Sequence, residues 1–285
     1  MRVCHTVQEV RDFVRAARAE GLVGLVPTMG YFHDGHLALM HRARSECRTV
    51  VVSIYVNPLQ FGPREDLRSY PRDPERDLRL AERAGVDMVF MPDDGEMYPP
   101  GYATYVDVEG LTDKLCGRSR PGHFRGVATV VTKLFNIVRP DRAYFGEKDF
   151  QQALVIRRLA ADLNLDLEII TVPTVRERDG LAASSRNVYL SPAERQAATV
   201  LYRSLVKARD AILAGERDPG RARRILAATI AAEPLAELDY AEVYGLPWLA
   251  ELERLEGEVL LAVAARVGRA RLIDNLVVKV PPAEG

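Results

Sequence analysis

The spacing of apolar and polar positions changes repeatedly along the first part of the chain. Helical spacing governs residues 5–20, where Val10, Phe13, Val14 and Ala17 share one face and Thr6 stands as a cap. A short apolar run over 22–26 predicts the first strand. Over 37–45 the spacing is helical again, with Leu37, Met40 and Ala43 on the buried stripe and Arg42 and Arg44 in water. That helix is expected to begin near His36. The unbroken β-branched run at 49–56 reads as a strand covered on both faces. A polar loop over 57–73 precedes a helix at 74–84 with proline in its first turn. Strand-like runs follow at 86–91 and, as a short edge strand, at 104–108. An apolar helix over 126–138 stops before Pro140. A strand at 142–145, a helix at 150–163 and a strand at 167–172 close the series. This alternation predicts an α/β fold: a parallel sheet with helices on both faces.

The pattern changes after Pro173. Residues 176–190 read as loop, and Ser191-Pro192-Ala193-Glu194 forms a capping box that opens a long helix to about Leu213. A turn, a helix over 221–232 and strand-like runs at 238–243, 258–265 and 271–278 complete the chain. We expect residues 1–175 to form the parallel-sheet domain and 176–285 a smaller α+β domain.

Composition narrows the function classes. At 285 residues, 47% hydrophobic and 28% charged, the chain is long enough for one large or two smaller globular domains with a sizeable core. A formal net charge of −1 provides no electrostatic argument for nucleic acid or a membrane surface. Cys4, Cys47 and Cys116 are odd in number and scattered, which suits neither a disulfide framework nor a zinc ribbon. With no apolar run of membrane-spanning length and no signal-like N-terminus, a cytoplasmic location is expected. Lysine is scarce, only Lys114, Lys133, Lys148, Lys207 and Lys279 among 39 basic residues, which draws attention to each one.

Ligands of open α/β sheets sit at the carboxyl ends of the strands, where three polar loops begin here: 28–36, 57–70 and 146–152. The first reads Thr28-Met29-Gly30-Tyr31-Phe32-His33-Asp34-Gly35-His36. Its glycines let the backbone approach a ligand, and the following helix start favours an anion. His33 and His36 add donors suited to charge building on a phosphate. It matches neither common phosphate fingerprint. Taken alone it is also a capped helix with two surface imidazoles, and a zinc site with His41 lacks a third ligand at metal spacing. Lys148 can neutralise phosphate as a point charge or simply pair with Glu147 or Asp149. Ser184, Ser185 and Arg186 lie on a loop able to close over a triphosphate, or form a turn with a solvated arginine. Gln60 and Gln152 are suited to orienting hydroxyls and carboxylates of a small substrate.

In combination these stretches resemble the pantothenate synthetase family. The likeness runs through residues 27–36, the block Ser53-Ile54-Tyr55-Val56-Asn57-Pro58-Leu59-Gln60-Phe61-Gly62-Pro63 with Glu65-Asp66 and Tyr70-Pro71-Arg72, and Gly122-His123-Phe124-Arg125-Gly126-Val127. It continues in Phe145-Gly146-Glu147-Lys148-Asp149-Phe150-Gln151-Gln152, Val172-Pro173-Thr174-Val175-Arg176, Ser184-Ser185-Arg186-Asn187 and Arg271-Leu272-Ile273-Asp274-Asn275, in the family's order. The resemblance implies a Rossmann-like nucleotidyl-transferase domain, related to class I aminoacyl-tRNA synthetases, with a C-terminal lid. It implies condensation of pantoate with β-alanine, using ATP and Mg²⁺, through a pantoyl adenylate, in a cytoplasmic homodimer; the balanced charge counts against binding nucleic acid or a membrane.

By the same resemblance, Met29, Gly30, His33, Gly35 and His36 form the ATP-side loop, with His36 and His33 catalytic. Gly146, Glu147, Lys148 and Asp149 hold nucleotide and phosphates, Lys148 neutralising charge. Val175 and Ala183 lie by the nucleotide, Ser184, Ser185 and Arg186 grip the triphosphate, and Gln60 and Gln152 bind pantoate, Gln60 also near β-alanine. The chain departs from the family with Ala183 where Met or Leu is usual and Phe32 where Leu is frequent. Arg76 stands where some relatives have a second carboxylate beside Asp77, which leaves a protein ligand for Mg²⁺ open. Two rivals remain, another nucleotidyl transferase of the same superfold and a non-catalytic nucleotide sensor; tRNA binding, a third that the class I likeness suggests, is opposed by the balanced charge and the lack of a basic tract.

Overall fold

A three-residue strand, β1 (Arg2–Cys4), opens the chain in the computed structural model, which describes residues 1–282. The helical spacing does not register an element so short. Helix α1 (Val7–Ala17) follows, closed by a capping box in which Thr6 and Glu9 exchange hydrogen bonds. In order come β2 (Val23–Thr28), α2 (Asp34–Glu46), β3 (Thr49–Ile54), α3 (Pro74–Arg83), β4 (Met88–Phe90) and the short helices α4 (Asp94–Met97) and α5 (Leu115–Ser119). Then α6 (His123–Val138), β5 (Arg142–Gly146), α7 (Phe150–Asp162) and β6 (Glu168–Val172) complete the six-stranded sheet.

All pairings in this sheet are parallel, in the order β1-β4-β3-β2-β5-β6. The β-branched run of β3 is buried on both faces, as its composition predicts. Val26, Val50 and Val52 pack with Met40 and Ala43 of α2 and Ala81 of α3. Alternation turns Leu25 and Val51 the other way; α6 packs on β2, and α1 packs on α6. Each fully buried branched side chain contributes about 1.5–3 kcal/mol.

The expected edge strand at 104–108 and the expected start of α2 are both corrected. Residues 104–108 join no sheet among the described residues; the Val106 N–H instead donates to Thr129 Oγ1 on α6 at 3.0 Å. The Arg125 guanidinium lies over the Tyr105 ring. Helix α2 begins at Asp34 rather than near His36, because His33 itself is the cap.

The chain divides into two compact units, Met1–Glu147 with Gln151–Thr174, and Lys148–Phe150 with the chain from Val175 onward. The second unit contains α8 (Pro192–Ala197), α9 (Val200–Leu213), α10 (Pro219–Ala231), β7 (Ala236–Gly245), β8 (Glu258–Val267) and β9 (Ala270–Lys279). The expected long helix from 191 is thus two helices, interrupted at residues 198–199. The three strands form an antiparallel sheet in the order β7-β8-β9, and α9 and α10 pack on it around Leu201, Leu205, Leu226 and Val263.

Candidate active site

The strand order reverses across β2: β3 lies on one side and β5 on the other. Such a reversal opens a crevice at the carboxyl ends of the strands. At the end of β2, Thr28 Oγ1 donates to the Ser53 carbonyl at 2.7 Å and accepts the Gly30 N–H at 3.2 Å. The chain then turns through two left-handed residues, Gly30 (φ 80°) and Tyr31 (φ 51°). Glycine takes this conformation freely, whereas for tyrosine it costs about 1–2 kcal/mol.

The strained turn is held from α3. The Asp77 carboxylate, almost fully buried, accepts the Tyr31 N–H at 2.6 Å and the Phe32 N–H at 2.8 Å. Burial pushes the Asp77 carboxyl above its ordinary value, and the two N–H bonds and the nearby Arg76 charge only partly offset it. A Cβ on Gly30 would stand 3.0 Å from Asp77 Oδ2 and from Ile54, so the bracing carboxylate and the glycine require each other.

This turn delivers His33 to the N-cap of α2. His33 Nδ1 accepts the Gly35 N–H at 3.1 Å, and His36 Nδ1 accepts the His33 N–H at 3.3 Å. The two imidazoles thus form a reciprocal capping box, their ring centroids 4.1 Å apart. A ring nitrogen that accepts a backbone N–H carries no proton, so this arrangement places each ring's N–H at Nε2. Gly35 is needed for a different reason from Gly30: a Cβ there would lie 2.8 Å from the His33 ring. Phe32, fully buried, sits 5.4 Å from the His36 ring and seals the core beneath the pair.

Gln60 ends a 3-10 turn, Pro58–Gln60, after β3. Its Nε2 lies 3.3 Å from Met29 Sδ, and its Oε1 accepts from Asn57 Nδ2 at 3.1 Å. Asn57 also donates to the Gly126 carbonyl at 3.1 Å and accepts from the Tyr98 hydroxyl at 2.8 Å. The Gln60 carbonyl accepts from His123 Nδ1 at 2.9 Å and Arg120 Nη2 at 3.2 Å. Arg120 in turn grips Glu65 through two 2.7 Å bonds. Burial alone would raise the Glu65 carboxyl, but the hydrogen bonds and charge of Arg120 outweigh it and hold it below its ordinary value. Helix α6 comes so close that a Cβ on Gly126 would overlap the Leu59 carbonyl at 2.3 Å. Among expected site residues, the first unit therefore joins Met29 to Gln60 and His33 to His36.

Gly146 ends β5, and the Glu147 carboxylate accepts from Thr171 Oγ1 at 3.2 Å. Gln152 lies half-buried on α7. Its neighbour Gln151 is buried and fully engaged, accepting the Cys116 N–H and donating to the Leu111 and Lys114 carbonyls.

In the second unit, Val175 and Ala183 face each other across a hairpin, with the Ala183 N–H donating to the Val175 carbonyl at 2.9 Å. The hairpin tip is Gly180 (φ 93°), where a Cβ would collide with Tyr202 at 2.1 Å. Ser184 caps the 3-10 turn Ser185–Tyr189, its Oγ accepting the Arg186 N–H. Ser184, Ser185 and Arg186 thus follow a hydrogen-bonded hairpin and open a capped turn. Lys148 Nζ stands 3.9 Å from Asp149, a loose pairing. Arg176 holds the hairpin: it stacks on Tyr202 at 4.1 Å, donates to the Gly180 carbonyl, and binds both Asp274 oxygens at 2.6 and 2.8 Å.

Residue patterning alone does not assign Asp77, Asn57, Arg120, Arg176, Asp274 or Asn275 to these tasks. Two signals point to them in retrospect. Asp77 shares a helix face with buried Ala81, and Asp274-Asn275 interrupts an apolar strand.

A reversed parallel sheet, with a glycine turn and a helix N-terminus at its carboxyl edge, defines a Rossmann-like ligand-binding protein. Comparison with known proteins narrows this. The family described as pantoate-beta-alanine ligase matches residues 2–277. A pantothenate synthetase of Pelotomaculum thermopropionicum is 64% identical over 278 residues, covering 97% of this chain and 99% of the relative. The crystal structure of pantothenate synthetase from Thermus thermophilus superposes with a TM-score of 0.92 at 52% identity, covering 97% of this chain and 99% of that one. The Francisella tularensis pantoate-beta-alanine ligase, solved with beta-gamma ATP and beta-alanine, gives 0.81 at 32% identity and 97% coverage of both chains. The chain belongs to the pantoate–β-alanine ligase family.

Proposed function

We propose that the chain carries out its family's ligase reaction in two steps. It joins (R)-pantoate to β-alanine, consuming ATP and giving pantothenate, AMP and pyrophosphate. First, a pantoate carboxylate oxygen attacks the α-phosphorus of ATP in line, the bond to pyrophosphate breaks, and pantoyl adenylate forms. This chemistry asks for placement and charge neutralisation rather than a covalent protein nucleophile. Second, the β-alanine nitrogen attacks the acyl carbon, and AMP leaves.

The observation that carries the reading is the histidine capping box. Both Nδ1 atoms are committed to main-chain N–H groups. Both N–H donors are therefore Nε2 atoms at a helix N-terminus, where an anion is favoured. His33 and His36 take the α-phosphate and departing pyrophosphate together with Lys148 and Arg186. Met29, Gly30, Gly35 and Gly146 to Asp149 line the nucleotide, with Val175 and Ala183 beside it and Ser184 and Ser185 on its phosphates. Gln60 and Gln152 orient pantoate. The second unit acts as a lid that shields the adenylate from water.

Mg²⁺ accompanies the nucleotide in this reading. The residues present do not fit a protein-built site for it: among the described residues no group of three or more His, Cys, Asp or Glu is placed to hold a metal. Asp77 is committed to Tyr31 and Phe32. Phosphate oxygens and water would hold the ion, which would offset charge on the phosphates. A cytoplasmic homodimer is the state we infer from the resemblance, for which sedimentation provides the test of assembly. No described helix is long and apolar enough to cross a membrane.

Purified protein with ATP, Mg²⁺, pantoate and β-alanine is expected to form pantothenate and AMP. Pyrophosphate–ATP exchange is expected to require pantoate and no amine; exchange driven only by another acid would overturn the substrate. Lys148→Ala and His36→Ala are each expected to lower turnover at least about a hundredfold, the roughly 3 kcal/mol scale of one transition-state donor. Near-normal turnover in either variant removes that residue from the mechanism.

A further inference from the structure

Asp274 and Asn275 are two buried polar residues in the middle of β9. Their register partners on β8 are Val263 and Ala262, also buried. Polar groups in such a place cost free energy unless they are hydrogen-bonded, and apolar residues of similar volume are often at least as stabilising. Stability of the sheet therefore does not account for the pair.

Their hydrogen bonds lead to two different segments. Asp274 binds Arg176 through both oxygens, and Arg176 also donates to the carbonyls of Gly180 and Asn275, so the hairpin is fastened to β9. The next residue, Asn275, donates from Nδ2 to the Lys148 carbonyl at 2.9 Å across 127 positions of sequence. Lys148–Phe150 cluster with this unit, although their chain neighbours on both sides belong to the first. Two segments assigned above to the phosphates thus meet on consecutive residues of one strand.

We propose that Asn275 is a positioning residue for Lys148, with the Asp274–Arg176 pair setting the hairpin from the same strand. The inference rests on the reading that Lys148 neutralises phosphate charge. A donor on the Lys148 carbonyl fixes the peptide plane next to the lysine, and so the direction in which its side chain leaves the short 3-10 turn. Asn275 touches no substrate in this account; it acts through Lys148.

A double-mutant cycle on the full-length protein tests this, with pantoate-dependent pyrophosphate–ATP exchange as the readout. Asn275→Ala is expected to lower exchange about tenfold, the scale of a small misplacement of a reacting group. In the Lys148→Ala background the same change is expected to matter less than about twofold, because the ammonium it places is gone. Asn275→Leu keeps most of the volume and removes the donor without adding a charge, and serves should the alanine variant fold poorly; its loss is expected to match. Equal losses with and without Lys148 would show a purely structural asparagine and overturn the proposal. So would unchanged exchange in both Asn275 variants. Normal exchange in Lys148→Ala alone would instead remove the role of the lysine, and the proposal with it.

Discussion

Asp77 in the first unit and Asp274 in the second are both nearly inaccessible, at 1% and 3% exposure, and each organises a loop that we assign to ATP. They do so differently. Asp77 accepts two main-chain N–H groups of a left-handed turn, with its nearest cation, Arg76, 3.8 Å away. Asp274 accepts a bidentate guanidinium, whose remaining contacts fasten a hairpin with ordinary cross-strand bonding. The first carboxylate holds strain in place, which two-residue turns next to helix caps do not hold by themselves. The second neutralises the charge of a largely buried guanidinium. Losing Asp77 should therefore release geometry, and losing Asp274 should release stability.

The largest expected effect is in the second unit. Asp274→Ala leaves the Arg176 guanidinium without its partner and is expected to destabilise that unit by about 3–5 kcal/mol. Urea unfolding followed at Trp248, the chain's single tryptophan, reads the second unit directly. A midpoint equal to the parent's would mean that Arg176 stays buried at no cost without the carboxylate, and the contrast with Asp77 would collapse.

Next in size is Asp77→Asn. The amide keeps one acceptor but turns an NH₂ toward the other N–H, a loss of about 1–3 kcal/mol. The sharper expectation concerns chemistry. Release of Gly30 and Tyr31 lets the His33–His36 box drift, so exchange is expected to fall about tenfold or more in protein that remains folded. If activity fell only in proportion to the unfolded fraction, Asp77 would be a stability residue like Asp274.

This contrast also explains how much could be read from the chain before its fold was known. Thr6 as a cap, Ser191 with Glu194 and proline at the start of α3 are local signals, complete within four residues, and α1, α8 and α3 begin where they place them. The β-branched run of β3 announces its own burial. Other features depend on partners that spacing does not reveal. Asp77 lies 46 positions from Tyr31, Arg176 lies 98 from Asp274, and Asn275 lies 127 from Lys148. Residues 104–108 have strand-like alternation, yet Thr129 takes the Val106 N–H and no strand adjoins them among the described residues. The motif blocks around these residues were legible through family resemblance, but the tasks of Asp77, Asp274 and Asn275 were not, because a resemblance names residues and not their hydrogen bonds.

The smallest expected effect separates two carboxylates within the first unit by the sign of their pH dependence. Arg120 holds Glu65 below its ordinary 4.5, so ionised Glu65 stabilises the fold above that pH, and the contribution is lost as pH falls through the depressed value. Asp77 is displaced the other way, above its ordinary 3.8. Its contribution is fully present below that pH and is lost as pH rises through the raised value, because burial favours the protonated form. On acidification the two therefore act in opposition, Glu65 weakening the Gln60 network while protonation relieves Asp77. Glu65→Gln removes only the first of these. Its melting temperature is expected to start lower than the parent's at neutral pH and to fall less steeply below pH 4.5. Parallel acid limbs in parent and variant would mean that the Arg120–Glu65 bond carries no net stability, and that Arg120 holds the Gln60 carbonyl equally well without it.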